Sequence, residues 1–204
     1  MITDPKTLYL SQLRNKNTGI AAFRAAAQQL SHLLAYEALT HLQSSPYNLE
    51  TPFAKSCGYR MTYPITIVPI LRSGLAMLPA FLEFLPDASV GVLGLKRNIP
   101  MAETIQYYAN IPPLSADHRI IIIDPMIATG DTACTALKIL TEQVPAAQIL
   151  FVGMVCAPEG IAAIARSFPA VRVIVAGHDT ALNDKKFIIP GLGDFGDRFF
   201  GTVE

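Results

Sequence analysis

From Pro64 onward the chain alternates short runs of isoleucine and valine with stretches whose apolar residues recur at helical spacing, and this alternation limits the fold more than any other feature. The runs, at residues 65–70, 89–95, 119–123, 149–156 and 171–176, are apolar on both faces. A strand of that kind has no side to show to water, so it needs cover above and below. Helical periods at 74–85, 132–144 and 158–167 lie between the runs and would supply it. The pattern predicts an α/β fold with a mostly parallel central sheet and helices on both faces. Pro79 falls inside the first of these helices and is expected to kink or shorten it.

Ahead of the alternation, Thr18 is placed to cap a helix in which Phe23, Ala27, Leu30, Leu34, Ala38 and Leu42 form one apolar stripe, ending near Ser44, Ser45 and Pro46. With no repeat or low-complexity tract, residues 1–204 read as one domain. Residues 1–63 are an N-terminal helix and lead-in, and 64–176 are the α/β core. Two stretches, 96–117 and 177–204, are too long for simple connections, and loops of that length are usually functional or flexible.

Sixteen Lys and Arg cancel sixteen Asp and Glu, so no overall basic field exists to hold nucleic acid or an acidic membrane surface. An anion site here must be local. The longest apolar stretches fall well short of the roughly 20 residues a membrane helix needs. The opening Met1-Ile2-Thr3-Asp4-Pro5 has no basic segment followed by an apolar core, so no signal peptide is expected and cytoplasm is the default location. Cys57, Cys134 and Cys156 are odd in number and widely spaced, which fits reduced thiols and not a disulfide or zinc framework. His32, His41, His118 and His178 are scattered without paired spacing, which argues against a metal site or a histidine-based triad. A chain 51% hydrophobic with no net charge has little to keep copies apart, so a homo-oligomer, dimer or higher, is expected.

The richest constellation is IIIIDPMIATGDT, residues 120–132, which joins a buried strand to a helix through an acid, small residues and hydroxyls. In an open parallel sheet this is the carboxyl edge, where ligands bind. Ala128, Thr129, Gly130, Asp131 and Thr132 would present successive N–H groups at the helix start, and Gly130 would let the chain turn around an anion. This loop is neither a GxxxxGK[ST] nor a GxGxxG fingerprint, which demotes nucleoside triphosphate and dinucleotide cofactors. Taken alone, the segment is better read as a strand ended by Asp124 and a helix capped by Asp131 or Thr132, and composition by itself does not overturn that reading. Arg72, where an apolar strand runs straight into an Arg-Ser-Gly turn, is a second candidate for an anion, because a guanidinium forks onto phosphate oxygens and stays charged.

The 120–132 segment resembles the 5-phosphoribosyl 1-diphosphate (PRPP) loop of the type I phosphoribosyltransferases, and its DPM form resembles the uracil phosphoribosyltransferase branch. PILRSG (69–74), APEGI (157–161) and IIPGLGDFGDRFFGT (188–202) agree in the same order, so the resemblance runs from about residue 36 to the C-terminus. It implies a type I phosphoribosyltransferase-like fold with a protruding arm (96–117) and a C-terminal base-binding hood (177–204). It implies transfer of the phosphoribosyl group of PRPP to N1 of uracil with Mg2+, giving UMP and diphosphate in pyrimidine salvage. Some members are activated by GTP. A phosphoribosyltransferase for another base and a non-catalytic PRPP or nucleotide sensor are the alternatives, the first opposed by the C-terminal match and the second by the retained Arg72 and Asp124.

The resemblance carries roles onto residues. PRPP falls to Arg72, Arg97, Asp124, Pro125, Met126, Ile127, Ala128, Thr129, Gly130, Asp131, Thr132 and Asp194. Asp124 would accept from the ribose hydroxyls and favour an oxocarbenium-like ring, and Arg72 would bind the leaving diphosphate. Arg97 would come from the arm closing over PRPP, with Lys96 as its understudy, although KRNIPMAET departs from the family stretch. Uracil falls to Met126, Ala128, Phe187, Ile188, Gly193, Asp194 and Phe195. The backbone around Ile188, Gly193 and Phe195 would read the base edges, and Phe187 or Ile188 would cover a face. Cytosine should be rejected, since its amine would meet a donor where an acceptor is required. Asp194 is assigned either a water or magnesium linked to PRPP, otherwise held by the diphosphate and water, or a weaker role as base for N1. Asp131 stands where the family commonly has glycine, and it is expected to cap the helix and so turn its charge from the phosphate.

Overall fold

The computed structural model describes residues 4–98 and 103–202, apart from the side chains of Arg97, Asn98 and Glu103. Two helices come first, α1 (Pro5–Arg14) and α2 (Ile20–Leu39). Asp4 caps α1 by accepting from the Lys6 N–H at 2.9 Å, and Pro5 occupies the first turn, where its missing N–H is not needed. The sequence pattern anticipated neither α1 nor the true start of α2. Gly19, not Thr18, is the cap residue of α2, and the Thr18 hydroxyl donates instead to the Gln12 carbonyl at 2.7 Å, closing the turn between the helices. The stripe from Phe23 to Ala38 is buried, but the helix stops at Leu39, so Leu42 packs from beyond its end. Residues 44–61, expected as lead-in, form an antiparallel hairpin of β1 (Ser44–Glu50) and β2 (Lys55–Met61) exposed on both faces.

The central sheet contains β3 (Ile65–Leu71), β4 (Ser89–Val90), β5 (Val92–Asn98), β6 (Glu103–Asn110), β7 (Arg119–Ile123), β8 (Met126–Ile127), β9 (Ile149–Cys156) and β10 (Arg172–His178). Its order is β10-β9-β7-β3-β5-β6, with β4 beside β3 and β8 beside β9. All pairs are parallel except β5 with β6. The four isoleucines of β7 show why this strand sits in the middle. Ile121 and Ile123 join a core with Phe23, Leu30 and Phe81, while Ile120 and Ile122 face the opposite side with Leu137, Leu140 and Ile164. Each is fully buried, a gain of about 1.5–3 kcal/mol per side chain relative to exposure.

The covering helices are α3 (Leu78–Phe84) with α1 and α2 on one face, and α4 (Asp131–Thr141) with α5 (Pro158–Ser167) on the other. Pro79 shortens the 74–85 helix and does not kink it: a 3-10 turn at Ser73–Ala76 comes first, and α3 begins around the proline. The arm is mostly strand, with β5 and β6 paired from Val92 opposite Asn110 to Asn98 opposite Glu103. Ile105, Tyr107 and Tyr108 of β6 are exposed, so burial left no alternation in the sequence to mark this strand. The hood consists of β11 (Ala181–Leu182) paired with β12 (Ile188–Ile189), followed by α6 (Phe195–Phe200).

Candidate active site

The site is assembled at the carboxyl edge of β7, where Asp124 leaves the sheet and its N–H donates to the Val152 carbonyl at 3.1 Å. The Asp124 carboxyl is desolvated by its surroundings, which raises its pKa to about 7, against a smaller lowering by the Met126 N–H. A carboxyl pushed up in this way at the ligand-facing edge of a sheet marks a candidate functional group.

Beyond Asp124, residues 126–130 with Thr132 and Ala133 line a hollow of about 130 Å³ at the start of α4. Gly130 makes it possible. Its φ is 87°, and a Cβ there would come within 2.9 Å of both the Ala163 Cβ and the Gly160 carbonyl oxygen. Because left-handed Gly130 occupies the cap position, Asp131 is already the first residue of α4 and does not cap it, contrary to expectation. Its exposed carboxylate accepts instead from the Thr129 hydroxyl at 2.7 Å. The charge is exposed to solvent and engages a hydroxyl of the same loop.

Three other segments close on this edge through small residues. A Cβ on Gly74 would lie 2.4 Å from the Ile123 carbonyl oxygen, so only glycine lets the Arg72 turn press against the end of β7. A Cβ on Gly160 would lie 2.6 Å from the Ala128 oxygen, which brings the APEGI helix start against the phosphate loop. A Cβ on Gly196 would lie 3.1 Å from the Ser73 hydroxyl oxygen, which seats α6 on the Arg72 turn. The Arg72 side chain is exposed, with its guanidinium 5.4 Å from the centre of the Phe200 ring and 3.4 Å from the Thr202 hydroxyl. Both Leu71–Arg72 and Ile189–Pro190 peptide bonds are cis.

On the hood, Asp194 caps α6 by accepting from the Asp197 N–H at 2.9 Å. Phe187 is 49% exposed, whereas Ile188 at 5% and Phe195 at 1% direct their side chains into the core. Phe195 packs on Phe23 and Phe199 with ring centres 5.4 and 5.6 Å away. Of the two side chains expected to cover a base, Phe187 alone is free to do so, and Phe195 has only its backbone to offer. Gly193 is exposed, with φ 80°. Met126 and Ala128 are partly buried beside the loop. The Arg97 backbone lies in β5 opposite Thr104, and its side chain lies outside the described residues; Lys96 is exposed.

Sequence reasoning assigned no role to Glu159, whose carboxylate accepts from the Leu182 N–H at 3.2 Å and so links APEGI to the hood. It also passed over Arg14, Asp179 and Arg198, which hold the hood loop from outside. Among the described residues no group of three or more His, Cys, Asp or Glu could hold a metal ion. A larger hollow of about 520 Å³, lined by residues that include Arg60, Tyr63, Phe84 and Asp87, lies at the opposite, amino edge of β3. The smaller hollow is the one at the chemically equipped edge.

The chain matches known proteins over nearly all of its length. The family model described as uracil phosphoribosyltransferase matches residues 6–202. The chain belongs to the uracil phosphoribosyltransferase family. A family member from Mycoplasma genitalium is 43% identical over 193 residues, covering 95% of this chain and 93% of its own. One from Thermus thermophilus is 40% identical over 194 residues, with the same coverage. A solved structure from Aquifex aeolicus, 33% identical, superposes with a TM-score of 0.89 over 99% of this chain and 97% of its own. A hypoxanthine phosphoribosyltransferase from Staphylococcus aureus, 10% identical, reaches a TM-score of 0.51 over 78% and 76% of the two chains, a likeness of fold alone. Family membership accounts for the order of the four segments, and the glycine contacts account for why they meet. No helix among the described residues is long and apolar enough to cross a membrane.

Proposed function

We infer that the chain transfers the phosphoribosyl group of PRPP to N1 of uracil, releasing diphosphate and forming UMP for pyrimidine salvage. The observation that carries this reading is the convergence of Asp124, the 126–132 loop, the Arg72 turn and the hood on one sheet edge, in a chain matched to the family over residues 6–202. The loop N–H groups and the start of α4 take the 5-phosphate, fixing the sugar. Asp124 accepts from the ribose hydroxyls. Arg72 meets the charge of the diphosphate as the bond from C1 breaks and its electron pair leaves with oxygen. Ring charge then rises, the ionised Asp124 stabilises it, and uracil N1 bonds to C1 while its proton passes to the released diphosphate or to water. Arg97 closes over PRPP from the arm.

Magnesium suits this donor set only as a companion of PRPP, because the described residues offer no cluster able to cage it. When bound, it neutralises diphosphate charge. Asp194 would be the side chain to help hold it, since only Oδ1 is used by the helix cap. Uracil is read by the backbone at Ile188, Gly193 and Phe195 and covered by Phe187, and Met126 and Ala128 line the sugar side.

The test is a labelled-base assay with PRPP and magnesium. UMP should form from uracil and not from cytosine, with no nucleotide from hypoxanthine or orotate. Product from another base in preference to uracil, or none from any, would overturn the reading.

The active form is a homo-oligomer. In support, the β1–β2 hairpin exposes Tyr47, Tyr59 and Phe53, the last at 97%, and a lone two-stranded hairpin is marginal in water. Sedimentation giving only monomer at assay concentration would refute this.

A further inference from the structure

The base-side loop is held by an ion pair, Arg14 with Asp179, that belongs to none of the four segments. Asp179, at the end of β10, has a side chain only 2% exposed and is paired with Arg14 at the end of α1. The pair is bidentate: Arg14 Nη1 lies 3.0 Å from one carboxylate oxygen, and Nη2 donates to the other. The same oxygen that receives Nη1 also accepts from the Gly191 N–H at 2.9 Å, while Nη1 donates to the Gly191 carbonyl at 2.8 Å. Both polar backbone groups of Gly191 are thus committed to one ion pair. Gly191 has φ 62°, and a Cβ there would lie 2.2 Å from the Ile188 oxygen, so the turn admits only glycine. Arg198 adds a hold one residue later through carbonyl oxygens alone. It donates to Leu192 at 2.6 Å, to Asn15 at 2.8 Å and to Leu13, and lies 4.3 Å from the centre of the Phe23 ring.

We infer that Arg14 and Asp179 are positioning residues for uracil recognition: the ion pair fixes Gly191 so that the adjoining Gly193 backbone is presented in one geometry to the base. A carboxylate this buried is committed to its partners, because an unpaired charge there would be strongly unfavourable. A fork of fixed geometry locates a backbone more tightly than a point charge can. Gly193, two residues on, takes part in no hydrogen bond among the described residues, so its orientation depends on the neighbours that Asp179, Arg14 and Arg198 hold. The kinetic side of this inference rests on the uracil reaction proposed above.

The test uses the full chain with Asp179→Asn and the milder Arg14→Lys, which keeps the charge but loses the fork. The expected result is a rise of at least about tenfold in KM for uracil in Asp179→Asn and a smaller one in Arg14→Lys. KM for PRPP and kcat at saturating uracil should change less than about twofold. Amide hydrogen exchange at Gly191 should accelerate in both variants while α4 stays protected. Unchanged uracil KM, or a parallel rise for both substrates, would overturn the positioning role. Unchanged exchange at Gly191 would overturn the clamp itself. Wild-type protein that makes no UMP would defeat the proposed reaction, and the exchange measurement would still decide whether the clamp exists.

Discussion

Between Ile123 and α4 the phosphate loop turns from strand to helix using consecutive residues, with Gly130 supplying the left-handed turn and α5 lying against it. The hood loop from Ile188 to Asp194 is also glycine-rich, yet its shape is imposed by Asp179, 12 residues from Gly191, and by Arg14, 177 residues away. Both loops are assigned to a ligand by the proposed function. In the first, the geometry comes from local chain chirality and a helix start; in the second, it comes from ion pairing and hydrogen bonds between the two ends of the chain. The phosphate loop should therefore respond to changes within itself, and the hood loop to changes far from it.

The largest expected effect lies at the junction. Asp124→Asn should lower kcat by about a hundredfold or more, the scale of one electrostatic partner of the transition state, while PRPP binding weakens far less. Equal losses in kcat and in directly measured PRPP binding would remove Asp124 from that role.

The same residue sets a pH dependence. With a pKa of about 7 in the free protein, kcat/KM for PRPP should rise as pH passes upward through neutrality, and Asp124→Asn should lack that limb. The stability sign is opposite to that of an ordinary salt-bridged acid. Folding raises this pKa, so the folded state holds the proton more tightly, and stability is lost as pH climbs from the unfolded value near 3.8 through about 7. Asp124→Asn should therefore gain stability relative to wild type at pH 8 compared with pH 4. Thermal denaturation at the two pH values measures it, and an unchanged difference would contradict the desolvation.

Gly130→Ala is the local counterpart of Asp179→Asn. It places a side chain at φ 87° against Ala163 and Gly160, costing about 1–3 kcal/mol in denaturant unfolding. PRPP KM should rise several-fold while uracil KM stays within about twofold. Loss of uracil recognition instead would erase the distinction between the loops. Asp131→Gly is the smallest change. Removing a solvent-exposed carboxylate should tighten PRPP binding by no more than about threefold, and glycine in the first turn should cost at most about 1 kcal/mol of stability. Much larger tightening, measured by calorimetry, would mean that the Asp131 charge reaches the phosphate.

Much of this was legible in the chain itself. The isoleucine runs announced the central strands because a strand buried on both faces must be apolar throughout, and Ile120 to Ile123 are buried on both sides. The strand-to-helix passage around Asp124 was legible because its determinants are neighbours. The β1–β2 hairpin and β6 were not, since strands exposed on both faces carry no burial signal. Asp131 was misread as a cap because its neighbour Gly130 takes that position only through a left-handed turn. The Ile188 side chain was offered beside Phe187 as cover for the base because of its position in a motif, whereas packing sends it into the core and leaves Phe187 outside.

The sequence by itself therefore determined the parallel sheet, most of its covering helices and the strand-to-helix turn after Asp124, because periodicity and turn chemistry act over a few residues. Tertiary structure alone decided which glycines are contact points, how the Asp124 carboxyl comes to titrate near neutrality, and that Arg14 and Asp179 grip Gly191. Close approach, desolvation and ion pairing depend on distance in space, and no spacing along the chain records them.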